Sequence, residues 1–275
     1  MTNKKRYPLF FLCFILAAGV VFFALNIRKR STDDPGEIPY YVKAMLLAYP
    51  DHLSHYRNGR LYFREGGSLP CDDGEKKGFL ERLNHTDVED MFHDVYRTSE
   101  PETPGYLYDP GRYRCEDFFK RVYGATERKV RKKLVSVDWF GQKIPFTTVN
   151  HAADSLKAVE REIKTSFSQF EKYFAQSSSF NWRPVRGAGR MSAHSYGMTI
   201  DICADSSDYW RWNNPGKEEL DEIAYQNRIP EEIIHVFERH GFISGARWYH
   251  YDTMHFEFRP ELIIVANQEG KHGDE

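Results

Sequence analysis

Two histidines and one aspartate have the residue types and the spacing that fit a metal centre. His194 and Asp201 lie in MSAHSYGMTIDI (191–202), and His255 lies in DTMHFEF (252–258). Apolar residues alternate around Asp201, which predicts a strand that places a carboxylate among apolar neighbours. If neighbouring strands carry Asp201 and His255, the three side chains converge. Two imidazoles and one carboxylate suit Zn²⁺, and three protein ligands leave a fourth position for water.

A hydrolytic zinc site also needs a base that takes a proton from the water. Asp252 precedes His255 by three residues, so it can lie near the open coordination position without being a ligand. The alternative is that Asp252 only orients His255 through a hydrogen bond.

A basic group is expected beside such a site, because it holds an anionic substrate or polarises its carbonyl. Arg183 and Arg190 precede the first motif in NWRPVRGAGRMSAH (181–194) and are the candidate catalytic and substrate-binding arginines, with Arg186 less favoured. The alternative for these arginines is a surface position or an ordinary ion pair.

The segments SAHSYGMTID (192–201) and GFISGARWYHYDTMHFEF (241–258) together resemble the M15 family of zinc metallopeptidases. This family includes D-alanyl-D-alanine carboxypeptidases and L-alanyl-D-glutamate endopeptidases, and its pattern is S-x-H-x-x-G-x-A-x-D followed by [DE]-x-x-H. The resemblance covers roughly residues 60–265 and is sharpest over 181–260. The stretch DPGRYRCEDFFKRVYG (109–124) also resembles a branch of this family.

The resemblance implies a role for each matching position. His194, Asp201 and His255 match the zinc ligands, Asp252 matches the catalytic acid/base, and Arg183 matches, by a looser alignment, the substrate-positioning arginine. Thr199 stands where the family usually has alanine, and its small side chain should fit there. Aspartate as the base is typical of the L-alanyl-D-glutamate endopeptidase branch.

Helices are mixed with short, non-alternating strands along the chain, which predicts an α+β fold with a small antiparallel sheet and flanking helices. The resemblance implies that this fold is like that of hedgehog domains and DD-peptidases. The predicted elements are helices at 83–96, 118–124, 151–165 and 228–241, a hairpin over 132–148 that turns near Gly141, and strands that carry Asp201 and His255.

The apolar run from Tyr7 to Ile27 lies between two basic clusters and would span roughly 30 Å as a helix, the thickness of one hydrocarbon core. It predicts a transmembrane signal anchor, with a cleaved signal peptide as the alternative. The predicted organisation is a cytoplasmic N-terminus (1–6), the anchor (7–27), a linker and lead-in segment (28–59), the M15-like zinc peptidase domain (60–265) and a flexible tail (266–275).

The net charge of −2 gives no basic excess, which argues against a nucleic-acid partner. Cys71, Cys115 and Cys203 lie outside the anchor. A Cys71–Cys115 disulfide and buried free thiols are both open.

The expected function is therefore that of a zinc-dependent peptidase that hydrolyses peptide stems of bacterial peptidoglycan, as an L-alanyl-D-glutamate endopeptidase or a D,D-carboxypeptidase. Its expected partners are stem peptides or muropeptides and, through the anchor, the membrane. Because this substrate lies outside the cytoplasmic membrane, the catalytic domain is expected on the extracytoplasmic side. The alternative is a non-catalytic zinc module that binds cell wall or a protein, and the intact Asp252 speaks against it.

Overall fold

The computed structural model describes residues 37–98 and 103–272. The predicted anchor at 7–27 lies outside these residues. Within the described part of the chain, no helix is both long enough and apolar enough to cross a membrane.

Eight α-helices and eight strands are described, joined by short 3₁₀ turns. In chain order they are α1 (Tyr40–Ala48), β1 (Leu53–Arg57), β2 (Arg60–Phe63), β3 (Ser68–Pro70), α2 (Phe79–Asn84), α3 (Glu116–Val122), α4 (Glu127–Arg131), β4 (Leu134–Trp139), β5 (Gln142–Thr147), α5 (Ala152–Ser166), β6 (Thr199–Asp201), α6 (Trp210–Asn213), α7 (Glu231–Arg239), β7 (Phe242–Ser244), β8 (His255–Phe258) and α8 (Pro260–His272).

The strands form three small antiparallel sheets, β1-β2-β3, β4-β5 and β6-β8-β7. The prediction of helices mixed with small antiparallel sheets is thereby confirmed. The third sheet matters most for the site, because Asp201 on β6 pairs directly with His255 on β8. β8 is the central strand of that sheet, and all four of its residues are buried.

Two amphipathic helices support this sheet and the neighbouring hairpin. On α5, Leu156, Val159 and Ile163 are fully buried and recur at helical spacing, as the sequence predicts. On α7, Phe237 stacks on Phe256 of β8 with 3.8 Å between ring centroids. Each such buried side chain contributes about 1.5–3 kcal/mol to stability, so these helices hold β8 firmly from one side.

The predicted hairpin is confirmed as β4 and β5, and it turns at Phe140 and Gly141. Both residues have positive φ, 44° and 80°, which is the backbone of the tight turns that suit two-residue hairpin loops. The predicted helix at 83–96 is wrong, because α2 ends at Asn84 and only a 3₁₀ turn follows at Asp90–Phe92.

The side chains of Asp87 and Asp90 give the physical reason for that difference. Asp87 accepts a hydrogen bond from the backbone of Asp90 at 2.9 Å, and Asp90 accepts one from the backbone of Asp87 at 3.1 Å. Lys77 bridges both carboxylates at 3.1 and 2.7 Å. Aspartate side chains that capture backbone N–H groups in this way compete with the helix for its donors.

The compact unit begins at Pro39, inside the predicted linker and lead-in segment. Helix α1 packs on α8, and Tyr49 donates a buried hydrogen bond to Glu261 at 2.9 Å. At the other end, α8 continues through His272, well into the segment that was predicted as a flexible tail. Cys71 and Cys115 are buried free thiols, and Cys203 is also free, which excludes a disulfide among these three.

Candidate metal centre and groove

A tight turn places the first two candidate ligands side by side. A 3₁₀ turn at Ala193–Tyr196 holds His194, and β6 then carries Asp201 at its end. Gly197 connects them with φ at 65°, in the left-handed region. A Cβ atom at Gly197 would also lie 2.4 Å from Cδ2 of Leu134, a side-chain end that would have to move, so the backbone conformation is the main reason for glycine.

His194, Asp201 and His255 converge, as the sequence predicts. His194 Nε2 lies 3.2 Å from Asp201 Oδ2, and His255 Nδ1 lies 3.0 Å from Asp201 Oδ1. One ligand atom from each residue falls within 4.8 Å of the others. Both histidines are buried, while the Asp201 side chain keeps 25% of its area exposed.

The second nitrogen of each imidazole has a partner outside this triad. His194 Nδ1 lies 2.7 Å from the Ser179 carbonyl oxygen, which only accepts, so Nδ1 donates and Nε2 keeps its lone pair. His255 Nε2 lies 3.4 Å from Glu257 Oε2. Such partners fix the orientation and the tautomer of metal-binding histidines. The remaining donor set, two imidazole nitrogens and one carboxylate, fits Zn²⁺.

The charges within the triad favour a cation at its centre. Burial alone would raise the pKa of Asp201, but His194 and His255 outweigh it and hold that pKa well below its usual range. Burial also opposes protonation of His255, yet Asp201 and Glu257 raise its pKa to about 10. The negative groups around the triad therefore stabilise positive charge there. A divalent cation that displaces the protons is stabilised by the same negative groups.

Asp252 lies in the same groove in the state expected of a proton acceptor. Its Oδ1 is buried without a hydrogen-bond partner in the described part of the chain. Burial and the charge of Asp201 raise the pKa of Asp252 to about 6, close to the neutral range in which proton transfer is efficient. Its backbone is fixed at both ends, to Gly245 at 3.1 Å and to His255 at 3.0 Å.

The triad opens into a groove of about 1280 Å³ whose lining includes several arginines. Arg114 donates three hydrogen bonds to Glu257, from Nε at 2.9 and 3.0 Å and from Nη2 at 2.5 Å. Glu257 is in turn the partner of His255. Arg112 pairs with Asp109 at 2.6 Å and with Glu219 at 3.0 Å. Sequence reasoning did not single out Arg112 and Arg114, although the family-like stretch DPGRYR contained the signal.

The predicted arginines occupy different environments in this groove. Arg183 is exposed, and its guanidinium donates only to the neighbouring Pro184 carbonyl at 3.4 Å among the described residues. Arg190 is only partly exposed and lines the same groove as Asp252. A catalytic role for Arg183 and a substrate-binding role for Arg190 stay predictions.

Comparison with known protein families agrees with the motif that the geometry assembles. Residues 186–258 match a family model of the M15 peptidases that is described as D-alanyl-D-alanine carboxypeptidase. The matched segment contains all three candidate ligands and Asp252. No curated protein and no solved structure matches the chain, so the likeness to hedgehog domains and DD-peptidases stays a prediction.

Proposed function

We propose, from the M15 family match over residues 186–258, that this protein is a zinc-dependent peptidase that hydrolyses the peptide stems of bacterial peptidoglycan. The observation that carries the proposal is the convergence of His194, Asp201 and His255 beside the unpartnered carboxyl oxygen of Asp252. The two candidate activities are L-alanyl-D-glutamate endopeptidase and D,D-carboxypeptidase. Aspartate as the base favours the endopeptidase.

In this proposal His194 Nε2, His255 Nδ1 and the Asp201 carboxylate would hold the metal. A zinc ion bound there would supply Lewis acidity and lower the pKa of a water molecule to about 7. Asp252 accepts a proton from the attacking water as the new C–O bond forms at the scissile carbonyl carbon. When the C–N bond breaks, Asp252 returns that proton to the leaving amine.

The cationic wall of the groove contributes electrostatic stabilisation of the transition state. Negative charge develops on the scissile carbonyl oxygen, and fixed positive groups in a partly buried site stabilise it without reorganising. Arg114 is such a group, because Glu257 holds its guanidinium in place and links it to His255.

The compartment belongs to the same proposal. Peptidoglycan lies outside the cytoplasmic membrane, so Tyr7–Ile27 would serve as a single-pass anchor with the N-terminus inside. Three basic residues lie on each side of this run, at 4–6 and 28–30, and the flanking charges therefore do not set the orientation by themselves.

The test is a digestion of defined muropeptides by the purified chain from Pro39 onward, with zinc measured by mass spectrometry and products identified by mass. Loss of a terminal D-alanine means D,D-carboxypeptidase, and a cut between L-alanine and D-glutamate means endopeptidase. His194→Ala should lose both zinc and cleavage, whereas the matched control His85→Ala, at an exposed position, should keep both. One zinc with no cleavage of any stem peptide would favour the binding module, and absence of zinc would overturn the proposal.

A further inference from the structure

Arg190 is a groove cation that the described residues leave without an acidic partner. Its Nε atom is buried and has no hydrogen-bond partner in the described part of the chain. Its Nη1 donates to the Leu83 carbonyl at 3.3 Å. A neutral carbonyl satisfies one donor but does not compensate the charge, so a guanidinium with five donors remains underused.

The neighbouring arginines of this groove, unlike Arg190, have carboxylate partners that balance their charge. Arg112 pairs with Asp109 and Glu219, and Arg114 pairs with Glu257. These carboxylates are therefore already engaged. Arg190 feels the charges of all these groups, but it forms no ion pair of its own with a described carboxylate.

The surroundings of Arg190 disfavour its charged form, and this lowers the pKa of its guanidinium. Burial and the charges of Arg112 and Arg114 lower the pKa of Arg190 to about 9. A partly buried cation without a counter-ion destabilises the folded state, and an incoming anion relieves that cost. Guanidinium binds carboxylate through two parallel hydrogen bonds, which makes a carboxylate the anion of best fit.

Backbone hydrogen bonds hold the main chain around Arg190 in place and so fix the position from which its side chain extends. Val185 donates a hydrogen bond to the Arg190 carbonyl at 2.9 Å, and Pro184 forms a β-bridge with Met191. Arg190 precedes His194 by four residues and lines the same groove as Asp252 and His255. A peptide that lies in this groove can therefore place a carboxylate at Arg190 and its scissile bond at the metal residues.

We propose that Arg190, flanked by Arg112 and Arg114, forms a subsite for a free carboxylate of the peptide substrate. This inference rests on the proposed peptidase function and names the chemical group that selects the substrate. A stem peptide offers such a group at two places, the C-terminal carboxylate and the free carboxylate of D-glutamate. Amidation of the recognised carboxylate abolishes the charge and one acceptor, so the subsite discriminates between acid and amide.

The experiment compares the zinc-loaded protein with Arg190→Gln and with the matched control Arg128→Gln. Arg128 is exposed on α4 and does not line the groove. Three substrates are used: a stem peptide with both carboxylates free, its C-terminal amide, and its D-isoglutamine form. The wild type and Arg128→Gln should cleave one of the amides about 10- to 150-fold less efficiently in kcat/KM than the acid, mainly through KM.

Arg190→Gln should cleave the acid as poorly as that amide, and the identity of the discriminated amide tells which carboxylate is bound. Zinc content and a cooperative melt establish that the variant is folded. Arg190→Lys, which keeps the charge and loses the planar fork, should fall between the two. Unchanged discrimination in Arg190→Gln would overturn the subsite, as would equal cleavage of all three substrates by the wild type.

A binding measurement separates this inference from the proposed function. Calorimetry with the same acid and amides in an Asp252→Asn background needs no turnover. The acid should bind at least about 10-fold more tightly than one amide, and Arg190→Gln should remove that difference. If no stem peptide is cleaved by the wild type but this difference is present, the peptidase fails and the carboxylate subsite stands. Equal affinities would overturn the subsite even in an active enzyme.

Discussion

Asp252 is the residue that distinguishes a hydrolase from a domain that only binds zinc, because a hydrolase also needs a proton acceptor. Its Oδ1 is buried and unpartnered in the described part of the chain, and its pKa lies near 6. Asparagine has nearly the same shape as aspartate but cannot take up a proton in this way. The asparagine variant therefore separates proton transfer from packing and from metal binding.

Asp252→Asn is expected to retain zinc and to lose turnover by about 10²- to 10⁴-fold, because an amide cannot accept the proton from water. Metal analysis and muropeptide digestion measure the two quantities on the same sample. Asp205→Asn, at an exposed position, is the control and should change neither. Loss of zinc together with activity would show that Asp252 shapes the metal site rather than the proton transfer.

Thr199 is the one position at which the motif departs from the usual alanine of the family. It is fully buried on β6, and its hydroxyl has no hydrogen-bond partner in the described segments. Replacing it with valine keeps the shape and removes the unsatisfied group, so Thr199→Val should stabilise the fold by about 1 kcal/mol. Urea unfolding measures the change through the midpoint at constant slope.

Thr147 supplies the matched control for that experiment. It is equally buried, but its hydroxyl accepts a hydrogen bond from the Val149 backbone at 3.2 Å. Thr147→Val should therefore destabilise the fold by about 1 kcal/mol, since it leaves that donor unpaired. A destabilising Thr199→Val would mean that the hydroxyl has a partner, such as an ordered water.

At the scale of elements, the loop between β7 and β8 decides where Asp252 lies. The 3₁₀ turn Gly245–Arg247 folds back on this loop, and a Cβ atom on Gly245 would lie 2.3 Å from the Asp252 carbonyl oxygen. Because that neighbour is backbone, it cannot rotate out of the way. The close approach of two backbone segments therefore requires glycine and fixes Asp252 beside the triad.

Gly245→Ala should displace Asp252 and reduce hydrolysis by about 10²-fold, since a shift of 1 Å in a catalytic group has that effect. The zinc content should fall less, because Asp201 and His255 are held by paired strands. Gly105→Ala, where a Cβ atom meets open space, is the control. Equal activity of both variants would show that the loop adjusts without affecting the site.

The elements that can be predicted from the sequence are those whose own residues form a recognisable pattern. Alternation around Asp201 predicts β6, and the motifs around Asp201 and His255 contain the ligand types, so the triad could be inferred before the fold. Arg112 and Arg114 come from a Pro- and Gly-rich loop without periodicity, and only tertiary packing brings them to the groove. The helix expected at 83–96 fails because Asp87 and Asp90 bind each other's backbone, a competition that apolar spacing does not reveal.

At the scale of the whole molecule, a buried network of polar and charged side chains connects the end of helix α1 with His255. Tyr49 donates to Glu261, Arg259 contacts Glu261 and Glu257, and Glu257 contacts His255. Arg259, Glu257 and Glu261 are fully buried. Removing one partner of such a network leaves an uncompensated buried charge, which is strongly destabilising. The orientation of His255 thus depends on packing at both ends of the compact unit.

This dependence predicts where the domain begins. A chain that starts at Pro39 should unfold cooperatively, whereas a chain that starts at Arg60, near the boundary expected from sequence, should not fold stably. The shorter chain lacks Val42, Met45 and Leu53, which are almost completely buried. Each contributes about 1.5–3 kcal/mol, so their combined loss is comparable to a total stability of about 5–15 kcal/mol.

Thermal melts and zinc content compare the stability of the two chains. Tyr49→Phe in the longer chain removes the hydrogen bond to Glu261 but keeps the buried ring, so it tests the charged network separately from the packing. That single change should cost about 1–3 kcal/mol, because Glu261 loses a buried hydrogen bond while the ring stays in place. Tyr56→Phe, on the partly exposed strand β1, should cost far less. If the chain from Arg60 melts cooperatively at the same temperature and binds zinc, the first helix is an addition to the domain and not part of its core.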